Sequence, residues 1–309
     1  MNRQFQLTIL GSNSAVPAFD RYPTSQILNV NKHLFLIDCG EGTQIRIAQN
    51  RVKRNSITHI FISHLHGDHV YGLPGLLTSM SLNSRQKPLE IYGPPGIKRY
   101  LDTVFEISGA FMTYEIHVNE LELDEQKRIL EFRDLEVYCF PVLHRVTCYG
   151  YKFVEKITEL KVDKEAIDKY AMSIPEIQAV KKGSDLERDG IVIPNAEISL
   201  QKADPVSYAF CADSRADDSL LKYLKGLTAM YFETTYLKDM KIQALDRAHS
   251  TTELTAELAK SAGVDLLIVG HYSSRYRNIE IFGEEIAEIF PNHILAIDGM
   301  VIDLLESRN

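Results

Sequence analysis

The sequence predicts a mixed α/β chain in which two sheets pack face to face and helices cover their outer sides. Short apolar, β-branched runs alternate with stretches of helical period. This order of strands followed by helices occurs twice along the chain, without a detectable sequence repeat. Residues 156–202 interrupt the rhythm.

In the first half, residues 5–10, 26–30 and 34–39 read as strands joined by short turns, and 42–49 as a helix. Residues 60–63 form the next strand. A helix over 71–82 sets Leu73, Leu76, Leu77 and Met80 on one face. Residues 89–92 are strand, Pro94-Pro95-Gly96 turns the chain, and a helix runs from 97 to about 106. Strands follow at 136–142 and 150–154. The second half offers strands at 206–212, 229–233, 265–270 and 294–297, with helices at 252–262 and 279–289. Between the halves, 156–202 carries eight Lys and Arg against nine Asp and Glu, with few strand signals. That is too long for an ordinary connection, so it reads as an arm inserted into one domain spanning 1–309.

Composition is that of a globular protein, and four scattered cysteines without a C-x-x-C pair argue against a disulfide framework and for a reducing cytoplasm. The N-terminus enters a strand pattern at once, with no signal peptide, and no apolar run approaches membrane-spanning length. A net charge of −8 counts against general nucleic-acid binding, so phosphate contacts must be local. Arg46, Arg51, Lys53 and Arg54 form one basic cluster, and Arg275 with Arg277 another.

The strongest signal is His64-Leu65-His66-Gly67-Asp68-His69, directly after a strand. Imidazole nitrogens and carboxylate oxygens are what a zinc ion prefers. Four such groups in so short a turn exceed what one ion can use, and alternate positions point to different sides. Three further candidates stand at the ends of apolar strands: His144, Asp213 and His271. A core strand seldom ends in such a group unless it has a partner. The counts then close for two zinc ions. His64, His66 and His144 take one, Asp68, His69 and His271 the other, and Asp213 bridges. Such a pair can activate water and clamp an in-line displacement, with Asp68 placed to accept the proton.

With these residues in view, the chain resembles the metallo-β-lactamase superfamily and, within it, the ribonuclease Z family of tRNA 3′-processing endonucleases. The zinc motif defines only the superfamily. The narrower match rests on Leu10-Gly11-Ser12 through Pro17, Asp38-Cys39-Gly40-Glu41-Gly42-Thr43-Gln44, the stretch from Ser63 to Leu73, Phe232-Glu233-Thr234-Thr235, His249-Ser250-Thr251 and Gly270-His271-Tyr272-Ser273-Ser274-Arg275-Tyr276. The resemblance implies an αβ/βα four-layer sandwich and a zinc-dependent endoribonuclease that cuts precursor tRNA after the discriminator nucleotide. It leaves a 3′-hydroxyl on the tRNA and a 5′-phosphate on the trailer.

The resemblance also implies that His249, oriented by Glu233, assists the leaving 3′-oxygen. A structural Glu–His hydrogen bond is the plainer alternative. Arg275 would fork a phosphate, with Ser273 and Tyr276 facing substrate. The arm 156–202 matches the family's tRNA-gripping insertion in position, in a homodimer whose one subunit holds the tRNA cut by the other. Its tip departs from the family's Gly-Pro-rich pattern, and Lys181 and Lys182 are the local candidates for phosphate contact. Ala212-Asp213-Ser214 replaces the usual G-D-T, and Ser14-Ala15-Val16-Pro17 lacks a glycine before its proline. Neither DNA nor membrane is expected as a partner. The rival readings are a small-molecule phosphodiesterase, arylsulfatase-like enzyme or lactonase on the same fold, and a non-catalytic RNA-binding scaffold.

Overall fold

A computed structural model describes residues 3–156, 160–200 and 204–306. The first sheet has seven strands, in spatial order Val301–Asp303, Phe5–Gly11, Ser25–Val30, His33–Ile37, His59–Phe61, Leu89–Gly93 and Ile116–Glu120. From His33–Ile37 to Ile116–Glu120 neighbouring strands are parallel. The second sheet also has seven: His293–Leu295, Leu266–Gly270, Ala229–Glu233, Ser207–Cys211, Tyr149–Glu155, Leu135–Pro141 and Lys127–Glu131. Its first four are parallel.

Ala229–Glu233 and Leu266–Gly270 are buried at every position. A parallel strand covered on both faces needs such an unbroken apolar run, because neither face meets water. Between the sheets lies an aromatic layer. Phe35 and Phe61 meet Phe153 with ring centroids 5.5 and 5.4 Å apart, and Phe61 meets Tyr151 at 5.1 Å. Each such ring contributes roughly 1.5–3 kcal/mol by leaving water. Helices Thr43–Gln49, Leu73–Leu82 and Ile97–Ser108 cover the outer side of the first sheet through Ile47, Leu73, Leu76, Leu77, Met80 and Leu101. Thr252–Ala262 and Glu280–Ala287 serve the second.

The predicted strand over 60–63 ends at Phe61, and the helix predicted from 71 starts at Leu73 behind a separate turn, Gly67–Val70. In the two seven-stranded sheets three strands went unpredicted: Ile116–Glu120, Lys127–Glu131 and Val301–Asp303. All are edge strands, half exposed and carrying charge, so they lack the apolar run that marks a central strand.

By its internal contacts the chain divides into two compact units. The first comprises Met1–Ile129, Val137–Phe153 and Ser207–Asn309, the second Leu130–Glu136 and Val154–Val206. Taken by itself, the second has helices Lys164–Lys169 and Ile174–Lys181 and two two-stranded sheets. Its small core holds Val162, Met172, Val180, Leu186 and Ile198. Of the predicted arm, residues 157–159, 201 and 202 lie outside the described residues. Among those described, no helix is long and apolar enough to cross a membrane.

Candidate metal centre

The parallel strands deliver their C-terminal ends to one place. Asp38 follows His33–Ile37, His64 comes shortly after His59–Phe61, and Asp213 follows Ser207–Cys211. Glu233 closes its strand, and His271 follows Leu266–Gly270. His271 has φ +62°, a left-handed conformation that a non-glycine residue adopts at a cost of about 1–3 kcal/mol. Asp38 has φ +55°. Two glycines let the turn carrying Asp68 approach closely. A Cβ on Gly40 would stand 2.3 Å from the Asp68 carbonyl oxygen, and one on Gly72 2.1 Å from that of Gly40.

Hydrogen bonds decide which nitrogen most of the rings present. Buried Asp38 accepts from the Ser63 N–H at 2.7 Å and its hydroxyl at 2.8 Å, and faces His69 Nδ1 at 2.7 Å. Because Ser63 Oγ donates to Asp38, it accepts from His64 Nδ1, 3.0 Å away. Thr235 Oγ1 donates to Glu233 at 2.7 Å and so accepts from His271 Nδ1 at 2.8 Å. His144 Nδ1 donates to the Ala248 carbonyl at 3.0 Å. Four rings therefore turn Nε2 inward. His66 turns Nδ1 inward, 2.9 Å from His64 Nε2 and 3.4 Å from His144 Nε2.

Asp213 lies between two groups of ligand atoms. Its Oδ1 is 2.9 Å from His271 Nε2 and 3.1 Å from His69 Nε2. Its Oδ2 is 3.7 Å from His64 Nε2 and 3.9 Å from His144 Nε2. Asp68 Oδ2 completes the first group, 3.6 Å from His69 and 3.5 Å from His271, and accepts from the Ala15 N–H at 2.8 Å. Two sets thus have ligand atoms close enough to hold an ion: His64, His66, His144 and Asp213, and Asp68, His69, Asp213 and His271.

Electrostatics favour a cation here. Burial works against charge on His69, but Asp213, Asp68 and Asp38 outweigh it and hold a proton on the ring. Burial likewise opposes charge on His271, yet Asp213 and Asp68 push it up to about 10. Burial, aided by His69, pushes His64 down, and burial does the same to His144. A pocket that traps protons on two imidazoles would trade them for a divalent ion. Buried Asp213 Oδ1 has no hydrogen-bond donor in good geometry, despite its two imidazole neighbours. Three inward-facing ring nitrogens, from His64, His66 and His144, and an orphaned carboxylate oxygen are a donor set that fits zinc.

Beside these groups stands Glu233, fully buried. Its Oε1 accepts from the Ser250 N–H at 2.9 Å and the Ser214 N–H at 3.2 Å, and its Oε2 from the Thr235 N–H at 2.9 Å. His249 Nδ1 is 2.9 Å from Oε1, which leaves His249 Nε2 facing Asp213 Oδ2 at 3.9 Å. Burial opposes charge on His249, but Glu233 and then Asp213 raise its pKa. Glu233, His249 and His271 also bring three ligand atoms together, but the donors on Glu233 occupy it.

The loop after His271 carries the other predicted substrate residues. Ser273 donates its N–H to the Thr235 carbonyl at 3.1 Å. Exposed Arg275 lies 5.2 Å over the Tyr236 ring. The Tyr276 hydroxyl accepts from the Leu237 N–H at 3.4 Å. Lys181 ends helix Ile174–Lys181 and Lys182 caps it, within the second unit, and neither joins a ligand group. A cleft of about 750 Å³, lined by Pro95, Glu122, Asp124, His144, Arg145 and Tyr149 among others, opens at His144. Sequence reasoning gave no role to Asp38, Ser63, Thr235 or the Ala15 N–H. Asp38 carried a usable signal, since it ends an apolar strand just as Asp213 does.

Comparison with known proteins agrees with this geometry. Residues 5–171 match the family described as Anti-Pycsar protein Apyc1. A ribonuclease Z of Parabacteroides distasonis is 38% identical over 297 residues, covering 96% of this chain and 98% of the relative. One from Cytophaga hutchinsonii is 36% identical over 297 residues, covering 96% and 95%. Among solved structures, the short form of human tRNase Z superposes with a TM-score of 0.72 at 25% identity, over 97% of this chain and 99% of that one. The metallo-β-lactamase fold protein YhfI of Bacillus subtilis gives 0.70 at 16% identity, over 98% and 100%, a likeness of fold alone.

Two facing sheets with this His and Asp cluster at their strand ends define the class, a hydrolase of the metallo-β-lactamase fold. Within it, the chain belongs to the ribonuclease Z family, and residues 5–171 fall in the family described as Anti-Pycsar protein Apyc1.

Proposed function

We propose that this protein is a zinc-dependent endoribonuclease that removes the 3′ trailer from precursor tRNA. Two zinc ions would be held as the ligand sets suggest, one by His64, His66 and His144, the other by Asp68, His69 and His271, with Asp213 shared. Bound divalent ions supply Lewis acidity, lowering the pKa of water and offsetting charge that builds on a phosphoryl oxygen. Asp68, steadied by the Ala15 N–H, accepts the proton as water oxygen bonds to phosphorus. The bond from phosphorus to the 3′-oxygen breaks, and His249 gives that oxygen a proton. Glu233 accepts from His249 Nδ1–H and stabilises the imidazolium, so that Nε2 carries the transferable proton. The products are a tRNA 3′-hydroxyl and a trailer 5′-phosphate.

The observation that carries this reading is the Glu233–His249 pair beside the ligand cluster. A hydrolase that expels a poor alkoxide leaving group needs a proton donor there, whereas the metal ligands alone would serve many esters. The second unit, with Lys181 and Lys182, is the proposed tRNA grip, acting across a homodimer in the cytoplasm. The 1–309 chain is then one domain with that arm inserted. Hydrolysis of small phosphodiesters, aryl sulfates or lactones is the competing use of the same centre, and the match of residues 5–171 to a second family keeps it in view. The orphaned Asp213 oxygen argues against a non-catalytic scaffold. Incubating purified protein with 3′-extended tRNA and mapping both ends tests the proposal. One cut after the discriminator nucleotide supports it, and intact precursor alongside rapid small-ester hydrolysis overturns it.

A further inference from the structure

Arg145 and Arg215 bond the turn over residues 245–249, Arg247 lies within it, and Arg275 shares Tyr236 with Arg247. Each is near a group of the candidate centre in sequence: Arg145 next to His144, Arg215 near Asp213, Arg247 near His249 and Arg275 near His271. All four are exposed. Arg145 Nη2 donates to the Asp246 carbonyl. Arg215 Nη2 donates to the Leu245 carbonyl at 3.3 Å. Arg247 Nη1 donates to the Tyr236 hydroxyl at 3.2 Å. Arg275 lies over that same Tyr236 ring, with Nη1 3.9 Å from Met240 Sδ.

Their partners are thus carbonyls, a phenol and a thioether. Among the described residues, none of the four is paired with a carboxylate at ion-pair distance. Asp217 feels the charge of Arg215, but its carboxylate accepts from the Ser219 N–H at 2.9 Å. With 42 Asp and Glu against 34 Lys and Arg, the chain does not lack carboxylates. Neutral anchors fix the direction of each guanidinium and leave its charge and remaining N–H donors unspent. Fixed forks with unspent charge are suited to phosphate oxygens.

We propose that Arg145, Arg215 and Arg247, together with Arg275, form a guanidinium rim that holds backbone phosphates of the RNA strand just 5′ of the cut. This rests on precursor tRNA being the substrate. The side of the cut follows from the chemistry. His249 faces the leaving 3′-oxygen, which belongs to the tRNA end, and the rim is built around His249. Tyr236, which anchors Arg247 and underlies Arg275, meets the His249 ring edge-on at 6.1 Å. The Ala248 carbonyl between them anchors His144. Phosphates on the tRNA side of the cut pass this surface.

The test compares zinc-loaded wild type with the triple variant Arg145→Gln, Arg215→Gln, Arg247→Gln. Two substrates are used, 3′-extended tRNA and bis(p-nitrophenyl) phosphate, which has no flanking phosphates. We expect the ratio of kcat/KM for tRNA to that for the small ester to fall roughly tenfold or more near physiological salt. Between about 50 and 200 mM salt, the log–log slope of kcat/KM for tRNA should become shallower by roughly 2, at about 0.7 per lost single-strand contact. Methylphosphonate linkages just 5′ of the cut should erase the difference between variant and wild type. An unchanged ratio and slope overturn the rim. Equal losses on both substrates overturn it too, because the arginines would then serve the centre itself. If linkages 3′ of the cut erase the difference instead, the assigned side is wrong. If wild type hydrolyses the small ester but leaves tRNA whole, the reading of the substrate fails first and takes the rim with it.

Discussion

Around Asp213, six imidazoles and three carboxylates crowd a buried pocket, and five of the rings donate a hydrogen bond from Nδ1 to a buried or backbone partner. The second unit is organised differently. Its core of seven buried residues is small, and its ion pair of Arg188 with Glu176 sits where both side chains are about a third exposed. The pocket must hold ligand atoms to within fractions of an ångström, so each ring needs its own brace. A surface that grips a large polyanion needs reach and charge more than precision, and a small core suffices for that. The two regions should therefore respond differently to substitution.

The largest effect is expected at the pivot of the pocket. Asp213→Ala removes the one carboxylate facing both ligand groups and leaves two protonated imidazoles without their main counter-charge. Elemental analysis should find two zinc ions per chain in wild type and at most one in the variant, with cleavage reduced roughly 10⁴-fold or more. Chelator treatment of wild type should give the same loss, recovered on adding zinc. A variant that retains both ions would show that Asp213 is not the bridge.

Next comes the leaving-group pair. His249→Ala should slow cleavage roughly 10²–10⁴-fold, the range of a positioned general acid. Its zinc content should be unchanged. Glu233→Gln should lose much of the same factor, and the double variant should be little worse than the poorer single one, because residues acting as a unit are not additive. Loss of zinc in His249→Ala would move that residue into the ligand set. Additive losses would mean that Glu233 and His249 act separately.

Much of the pocket was legible in the sequence because one rule found it: an apolar strand that ends in His or Asp must satisfy that group. The rule located His144, Asp213 and His271, and the six-residue turn supplied the other candidate ligands, whereas Glu233 and His249 were singled out only by the family resemblance. It was not applied to Asp38, whose motif was noted without a role, although buried Asp38 orients His69 and, through Ser63, His64. Thr235 escaped for another reason. A hydroxyl that relays between Glu233 and His271 has no signature apart from the fold that brings 233, 235 and 271 together. The two central sheets could be read from β-branched runs, but Ile116–Glu120, with its half-exposed His117 and Asn119, could not. The four-arginine rim was invisible because its members are spread from 145 to 275 and become neighbours only when strand ends converge.

The third prediction removes the second region and spares the first. Deleting residues 160–195, which contribute no metal ligand, should leave zinc content and small-ester hydrolysis near wild type. Cleavage of precursor tRNA should drop by roughly 10²-fold, the lower range of what a second linked contact adds to affinity. An unchanged rate on tRNA would show that the grip lies elsewhere and that the comparison drawn above assigns the second unit a role it does not have.

The smallest effect probes how the second unit holds itself together. Glu176 closes a capping box at helix Ile174–Lys181, accepting from the Ser173 N–H at 2.7 Å, and pairs with Arg188 at 2.9 Å. The Ser173 hydroxyl first, and then Arg188, lower its pKa to about 2 from an ordinary 4.5. A depressed carboxyl stabilises the folded form above its unfolded pKa and loses that contribution as pH falls toward the folded one. The helix should therefore loosen between about pH 4.5 and 2, modestly, since the pair is exposed and screened by salt. Amide hydrogen exchange in the full chain over residues 164–182 would report it. In Glu176→Gln those amides should exchange faster at neutral pH, and their added loosening on acidification should largely vanish. Equal acid sensitivity in variant and wild type would assign that loosening to some other carboxyl. Exchange at His249 or Thr252 should not follow this titration, because Glu233 and Thr251 hold that turn by buried contacts in the other unit.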